Sequence, residues 1–392
     1  MEDVYVLSGV RTPIGKYGGG LASVPPSDLA AMTVREAVSR AGVEPAQIGH
    51  VVFGNVIHTE VRDMYLARVA AVNAGLETRT PALTLNRLCG SGLQAIVSAA
   101  QSIALGDCEV AVAGGAESMS RAPYWLPGMR WGQRMGDGVA TDPVVGALTD
   151  PFDACHMGVT AENVATDFHV SRTDQDALAV ESHRRAAAAI AAGYFKEQIL
   201  PVEIPGKKGA TVVSIDEHVR PEANPQDMAR LRPAFAQDGT VTAGNASGLN
   251  DAAAALVLSS ESFARGGRFS PLGKLIGYAH AGVEPRIMGM GPVPAVRTAL
   301  DRTGLKLDEI DLFEVNEAFA AQALAVVREL GLPPERTNPN GSGISLGHPI
   351  GATGAILAVK ALYELRRTGG KYALVTMCIG GGQGIAAVFE RP

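Results

Sequence analysis

Two stretches of this chain repeat the same order of strand-like and helix-like segments, and that repetition constrains the fold more than any other feature. In residues 1–120, apolar runs such as His50–Val56 alternate with segments of helical periodicity such as Leu93–Leu105. The alternation restarts at about residue 271, where Ile310–Val315 is a further strand candidate. Alternating strands and helices predict an α/β fold in which a mostly parallel sheet is covered by helices on both faces.

Local similarities between the two stretches indicate an internal duplication. One pair of similar segments is HVVFGNV and DLFEVNEA, in which Asn55 and Asn316 take similar places. A second pair is GDCEVAVAGGAES and GGKYALVTMCIGGGQG. In both stretches the third helix follows a glycine-rich loop. The sequence therefore predicts two halves of the same architecture.

The region between the two halves breaks this rhythm. It contains both tryptophans, Trp125 and Trp131, many proline and methionine residues, and one clear helix pattern at about 173–193. We interpret it as an inserted loop domain. The predicted organisation is a first half made of residues 1–120 and 249–270, an insertion at 121–248, and a second half at 271–392.

Charge and composition argue against several classes of function. The 392 residues carry a formal net charge of −6 and no long run of Lys or Arg, which disfavours nucleic-acid binding. No apolar run is long enough to cross a bilayer, and the N-terminus lacks the basic-then-apolar order of a signal peptide. We therefore expect a cytoplasmic protein with no membrane partner. The four cysteines form no CxxC pair and no metal-ligand spacing occurs, so we expect reduced thiols, no metal and no bound cofactor.

Cys89 is the first candidate for chemistry, because it lies between a predicted strand and a predicted helix. The positive end of a helix dipole and its unpaired amides favour a thiolate, so this position predicts a lowered pKa for the Cys89 thiol. Gly90 and Gly92 permit a sharp turn and close approach of a substrate. A buried structural cysteine in a turn is the alternative explanation.

Three further candidates lie at predicted strand ends or helix starts. His348, in a glycine-rich loop before a helix, is suited to be a general base toward a thiol. Cys378 ends a buried strand, and the glycines after it expose amides suited to an oxyanion hole. Asn316 and Glu317 follow another strand, where an asparagine caps a helix or orients a carbonyl oxygen. Each has an ordinary structural explanation when taken alone, but the carboxyl ends of parallel strands meet at one edge of a sheet. We therefore expect these side chains to converge with Cys89.

Seven segments then resemble one known family. They are NRLCGSGLQAI around Cys89, GGAESMS at 114–120, HMGVTAENVA at 156–165, AGNASGLNDAAAA at 243–255, NEAFA at 316–320, GHPIGATG at 347–354 and CIGGGQG at 378–384. Together they span almost the whole chain and resemble the thiolases, most closely those of the bacterial biosynthetic type. The resemblance implies a five-layered αβαβα fold of two duplicated halves with an inserted loop domain, assembled as a homotetramer.

The resemblance also implies a role for each candidate residue. Cys89 would be the nucleophile that carries the acyl group, and His348 would activate it. Cys378 would move the proton to or from the α-carbon of the second substrate. Asn316 would hold a water that binds the thioester oxygen together with His348. The backbone amides of Cys89 and Gly380 would receive the oxygen of the acyl-enzyme.

The inserted region would bind coenzyme A, again by resemblance. Ser247 would touch the pantetheine arm and Arg220 would lie near the adenine and phosphate end, although a solvated surface arginine is the commoner case. Residues expected near the arm are His156, Ala243, Leu231, Phe235 and Phe319. Met157 and Met288 would line the acyl pocket, with ordinary core packing as the alternative.

The implied activity is the reversible condensation of acetyl-CoA with an acyl-CoA, which gives a 3-oxoacyl-CoA and free CoA. A degradative 3-ketoacyl-CoA thiolase of fatty-acid oxidation is one alternative, because the two share their chemistry. A decarboxylating enzyme of the ketosynthase type is disfavoured because CIGGGQG supplies a second active-site cysteine. A non-catalytic acyl-CoA binder is a further alternative, which the four catalytic-type residues argue against.

Overall fold

The computed structural model describes residues 3–207, 209–267 and 269–392. The strands are β1 (Val4–Arg11), β2 (Gly15–Lys16), β3 (His50–Gly54), β4 (Ala82–Leu85), β5 (Val110–Ser118), β6 (Val202–Ile204), β7 (Thr211–Val213), β8 (Asn250–Ser260), β9 (Gly273–Gly282), β10 (Leu312–Val315), β11 (Tyr372–Ile379) and β12 (Gln383–Glu390). The helices are α1 (Pro26–Ala41), α2 (Leu66–Asn73), α3 (Ser91–Ala104), α4 (Pro143–Ala147), α5 (Met157–Asp167), α6 (Arg172–Ala191), α7 (Pro225–Ala229), α8 (Glu261–Gly266), α9 (Pro292–Thr303), α10 (Ala320–Leu330), α11 (Gly343–Leu346) and α12 (Ile350–Thr368).

The main sheet is mixed, so the prediction of a mostly parallel sheet is wrong. Its strand order is β10-β11-β12-β9-β1-β8-β5-β3-β4, with β2 paired to β8. Parallel pairing occurs between β3 and its neighbours β4 and β5, and between β10 and β11. β8 and β12 run antiparallel to the strands beside them. A three-residue turn joins β11 to β12, and so short a connection permits only antiparallel pairing.

The strand order repeats in the two halves, as the duplication predicts. The first half runs β1-β8-β5-β3-β4 and the second runs β9-β12-β11-β10. In the second half an isolated parallel bridge between Phe313 and Thr337 takes the place of the fifth strand. The two asparagines are not equivalent, however. The Asn55 amide donates to Leu85 on β4, whereas the Asn316 amide donates to Thr376 on β11 (3.1 and 3.0 Å).

Five layers of helix and sheet form around three apolar cores. One core lies between α1, α2 and the outer face of the first-half strands, and another lies between α9 and the outer face of the second-half strands. The largest core surrounds α3 and α12, which pack together between the two sets of strands. This arrangement confirms the predicted αβαβα architecture. None of the helices in the described ranges is long and apolar enough to span a membrane.

The two central helices touch backbone to backbone near their N-terminal turns. A Cβ on Gly92 would lie 2.7 Å from the amide nitrogen of Ala355, and a Cβ on Gly354 would lie 2.3 Å from that of Leu93. Any larger residue at either glycine would push the helices apart. The close crossing places the segments that precede α3 and α12 at the same corner of the molecule.

The chain between β5 and β8 contains α4 to α7 and the small β6–β7 sheet. A buried ion pair attaches it to the first half. The Arg11 guanidinium donates to both oxygens of Asp216 (2.7 and 3.0 Å), and neither side chain is exposed. Asp216 also accepts the amide of Ile14 (2.8 Å). These contacts give the loop-rich region a fixed position on the strands.

Candidate active site

The turn that presents Cys89 is held by its own side chains. Leu88 adopts a left-handed backbone conformation (φ +44°), which costs on the order of 1–3 kcal/mol for such a residue. The Ser91 hydroxyl accepts the Arg87 amide (2.8 Å) and donates to the Leu88 carbonyl (2.7 Å). The Leu88 amide donates to Asn86 Oδ1 (2.8 Å). These bonds stabilise the sharp turn that carries Cys89.

The Cys89 sulfur lies where two backbone amides converge. The backbone amides of Gly380 and of Cys89 itself lie near this sulfur, and both lower its pKa. Burial acts in the opposite direction and is the larger effect, so the pKa of Cys89 is raised to about 11, with a further small rise from the Glu117 carboxylate. The prediction of a lowered pKa is therefore wrong, because desolvation outweighs the amides at the start of α3. Cys89 therefore rests as a thiol at pH 7, and it could act as a nucleophile only with the help of a base.

His348 has the properties of that base. Its Nδ1 lies 2.7 Å from the Thr353 hydroxyl, which itself donates to the Pro349 carbonyl (3.0 Å). The hydroxyl must therefore accept from Nδ1–H, which leaves Nε2 with its lone pair. Burial lowers the pKa of His348 to about 4, so the imidazole is neutral at pH 7. The His348 amide donates to Asn250 Oδ1 (2.9 Å), which fixes the loop.

Asn316 and Cys378 lie beside this histidine and the first thiol. Asn316 Nδ2 is 3.4 Å from His348 Nε2. Within the part of the chain that the structure describes, the buried Asn316 Oδ1 accepts no hydrogen bond. Cys378 is fully buried at the end of β11, and burial together with the neighbouring Cys89 raises the pKa of its thiol. The structure thus brings Asn316 to His348 and Cys378 to Cys89.

The turn after Cys378 requires glycine. Gly381 and Gly382 have positive φ angles of +81° and +83°. A Cβ on Gly380 would lie 2.9 Å from the Met157 methyl group, and one on Gly382 would lie 2.3 Å from the Val283 carbonyl. The chain can therefore bring the Gly380 amide to the Cys89 sulfur only with small residues here.

Two different apolar clusters flank the two thiols. Met157 and Met288 pack with Phe319 around Cys378. The apolar residues that pack with Cys89 are a separate set, which sequence reasoning missed: Val56, Ile57, Met119, Ala122, Val144, Ala147, Leu148, Leu249 and Ile350. They come from five separate segments, so no single stretch of sequence indicates them. Their convergence gives the nucleophile an apolar wall.

Several residues predicted to bind coenzyme A form one continuous surface beside Cys378. The His156 ring stacks on Phe235 (centroids 4.6 Å apart), and Phe235 meets Phe319 edge-on at 6.2 Å. His156 Nδ1 accepts the amide of Gly158 (3.0 Å). The Ser247 amide donates to Ala318 O (3.0 Å), which joins this surface to the segment after Asn316.

Arg220, Ala243 and Leu231 are the outermost of the predicted residues, and all three are exposed. The Arg220 amide donates to His183 Nδ1 (3.1 Å), and His183 lies against His218 with centroids 6.5 Å apart. Burial, aided by the Arg220 charge, lowers the pKa of both histidines to about 4. Sequence reasoning missed this histidine pair, because its members are 35 positions apart.

Family models match almost the whole chain. The model of the thiolase N-terminal domain matches residues 4–262, and that of the thiolase C-terminal domain matches residues 269–391. The chain belongs to the thiolase family. It is accordingly an acyltransferase enzyme.

Similar proteins cover this thiolase from end to end. It is 63% identical to beta-ketothiolase BktB of Cupriavidus necator over 391 residues, covering 100% of this chain and 99% of the other. It is 48% identical to an acetyl-CoA acetyltransferase of Chromobacterium violaceum, covering 100% of each. The structure of human mitochondrial 3-ketoacyl-CoA thiolase in complex with CoA is similar with a TM-score of 0.97 and 43% identity, covering 100% of this chain and 98% of that one.

Proposed function

We propose that this thiolase condenses acetyl-CoA with a short acyl-CoA to give a 3-oxoacyl-CoA and CoA, and that it also catalyses the reverse cleavage. The observation that carries the proposal is the corner in which a neutral His348, the Gly380 amide and a second thiol, Cys378, surround the Cys89 thiol. Two similar proteins also support the proposal, because one is named a beta-ketothiolase and the other an acetyl-CoA acetyltransferase.

The first half-reaction transfers an acyl group to Cys89. His348 Nε2 takes the thiol proton as the sulfur attacks the thioester carbonyl, so that proton transfer and attack occur together and no free thiolate is needed. The developing oxyanion accepts the N–H groups of Cys89 and Gly380. When the tetrahedral intermediate collapses, the CoA sulfur leaves and takes the proton held by His348, and a thioester remains on Cys89.

The second half-reaction forms the carbon–carbon bond. Cys378 passes its proton to the neutral His348 and removes an α-proton from acetyl-CoA, and the resulting enolate attacks the acyl carbon on Cys89. We place the enolate oxygen beside His348 and Asn316. In the described part of the chain Asn316 Oδ1 accepts no hydrogen bond, so it can accept one from a water. The tetrahedral intermediate then expels the Cys89 sulfur, and the proton held by His348 returns to that sulfur. CoA is a substrate and product, and the steps use no other cofactor.

We place the pantetheine arm of coenzyme A along Ser247, His156 and Phe319, with Arg220 toward the phosphates. The aromatic surface that these residues share ends at Cys378, and Arg220 adds positive charge at the outer end. Met157 and Met288 contact this surface near the thiol, where flexible thioethers accommodate different chains. The human relative in complex with CoA supports this placement by analogy.

A homotetramer in the cytoplasm is the proposed state of the enzyme. Large apolar side chains are exposed on the segment around Trp131, which itself is 90% exposed: Tyr124, Trp125, Leu126, Met129, Trp131, Met135 and Val139. Contiguous apolar side chains of this size are typical of surfaces between subunits. Light scattering that gives four times the 40.7 kDa chain mass supports the tetramer, and a monomer overturns it.

The experiment that tests the function is thiolysis of acetoacetyl-CoA, 3-oxopentanoyl-CoA and a long-chain 3-oxoacyl-CoA. We expect cleavage of the two short substrates, and a loss of about 10⁴-fold or more in Cys89→Ala, because the covalent route is removed. Preference for the long chain would favour the degradative alternative. Absence of cleavage for all three would refute the thiolase assignment of function.

A further inference from the structure

Glu117 lies in the active-site corner, although no step of the proposed reaction uses it. It is the penultimate residue of β5 and its side chain is fully buried. In the described ranges no Lys, Arg or His pairs with it, and the charged group that faces it is the carboxylate of Asp63. A buried carboxylate without a cation is costly unless hydrogen bonds offset its desolvation.

The carboxylate of Glu117 joins two separate segments, residues 55–57 and the start of α12, to β5 through hydrogen bonds. Oε2 accepts the amides of Gly351 (2.8 Å) and Val56 (3.2 Å). Oε1 accepts the amide of Ile57 (3.1 Å) and the side-chain Nδ2 of Asn55 (3.2 Å). All four donors are neutral, so no positive charge compensates the carboxylate when it is ionised.

Both fastened segments adjoin the reacting groups. Gly351 lies in the first turn of α12, three residues after His348, so the carboxylate holds the helix start that positions the base. Val56 and Ile57 belong to the apolar cluster that packs with Cys89. The same side chain therefore ties the base and the apolar wall to one strand.

We propose that Glu117 is a positioning residue with two effects on the same site. Its hydrogen bonds hold the His348 loop and the apolar wall in place around Cys89, and its negative charge disfavours the thiolate form of Cys89. The inference deepens the proposed function and rests on it. It adds a residue that contacts neither substrate nor reacting atoms.

The electrostatic effect has a defined pH range. Burial raises the pKa of Glu117 to about 7, so its charge develops as the pH rises through neutral. That charge then adds to the effect of burial on the Cys89 pKa, which is raised to about 11. The other titratable groups that face the thiol are His348, whose pKa is lowered to about 4, and Cys378, whose pKa is raised. Neither changes charge near neutral pH.

Alkylation of Cys89 by iodoacetamide measures this effect without substrate. The modified Cys89 peptide is quantified by mass spectrometry across a pH series in the intact enzyme. In Glu117→Gln we expect alkylation above neutral pH to be roughly two- to threefold faster, because one nearby negative charge is removed. The same variant should lose about tenfold or more in kcat for thiolysis with little change in KM, because His348 is displaced.

Two matched variants separate charge from position. Glu117→Asp keeps the charge but is one methylene shorter, so we expect wild-type alkylation with lowered kcat. Glu109→Gln removes an exposed carboxylate at the other end of the same segment and should change neither quantity. Wild-type alkylation together with wild-type kcat in Glu117→Gln overturns the proposal.

The wild-type enzyme provides a test that needs no variant. The logarithm of the alkylation rate should rise with pH, become less steep near pH 7 as Glu117 ionises, and then regain its slope. A straight line through that range contradicts the electrostatic effect, even if Glu117→Gln does not fold. If no 3-oxoacyl-CoA is cleaved but the reduced slope is present, the proposed function fails and the coupling of Glu117 to Cys89 stands.

Discussion

The two halves of the molecule differ most in one connection. In the first half the chain takes residues 119–249 to pass from β5 to β8, whereas in the second half Gly380–Gly382 join the equivalent strands β11 and β12. The long connection forms the surface on which we place coenzyme A. The short one supplies the amide that meets the Cys89 sulfur. The connection at the same position in the sheet therefore carries the proposed coenzyme A surface in the first half and the proposed oxyanion-binding amide in the second.

The central helices show a second difference of this kind. α3 follows the proposed nucleophile Cys89, and α12 follows the proposed base His348 at the equivalent place in the second half. Neither half contains a complete set of reacting groups. The reaction is therefore a property of the packed pair, and changes confined to one half should affect separate steps.

Cys378→Ala should separate the steps most clearly. Transfer of acetyl from acetyl-CoA to Cys89 uses His348 and the two amides, so mass spectrometry should still detect the acetylated enzyme. Condensation should fall by about 10²–10⁴-fold, because the α-proton loses its base. Cys108→Ala, at the edge of the first half, is the matched control and should leave both steps intact. Equal loss of acetylation and condensation in Cys378→Ala would show that the steps do not divide in this way.

Gly382→Ala tests the short connection. A Cβ at this position would lie 2.3 Å from the Val283 carbonyl, on a residue with φ of +83°. The turn must shift and carry the Gly380 amide with it, so we expect kcat to fall by about 10²-fold. In the long connection, Gly146 has open space around its Cβ position, and Gly146→Ala should stay within twofold, or about 0.4 kcal/mol, of the wild type. Steady-state kinetics that rank the two variants equally would contradict the comparison.

His218→Gln tests the long connection through its response to acid. His218 is partly buried with a folded-state pKa of about 4, below the ordinary histidine value of 6.5, so the unfolded chain binds more protons between these values. Folding stability from this residue is present above pH 6.5 and is lost as the pH falls toward 4. On going from pH 7 to pH 5, the wild type should lose roughly 1–2 kcal/mol more than the variant. Urea denaturation at both pH values measures this, and parallel losses would argue against it.

The sequence was sufficient for the elements and residues that depend on local pattern. The strand and helix alternation, the duplicated order and the convergence of Cys89, His348 and Cys378 follow from apolar periodicity and from glycine-rich turns. The mixed sheet was missed, because a buried strand such as β8 reads the same in either direction. The raised pKa of Cys89 was missed for a different reason. It depends on how much chain covers the thiol, and that is a property of the packed halves.

Glu117 illustrates the same limit. Its motif, GGAESMS, was apparent in the sequence. The four hydrogen bonds on which its proposed positioning role depends, however, come from residues 55–57 and 351. The apolar wall of Cys89 is likewise assembled from distant segments. Such groups are found only once long-range packing is known.

The pairing of β1 has a consequence for how the chain is made. Its two neighbours in the sheet are β8 and β9, which begin at Asn250 and Gly273. At roughly 5–20 residues per second, the ribosome needs about 10–50 s to deliver β8 after β1 has emerged. During that time an apolar strand has both edges open, which is a hazard for aggregation. The length of the first-half connection thus adds to the time for which β1 remains unpaired during synthesis.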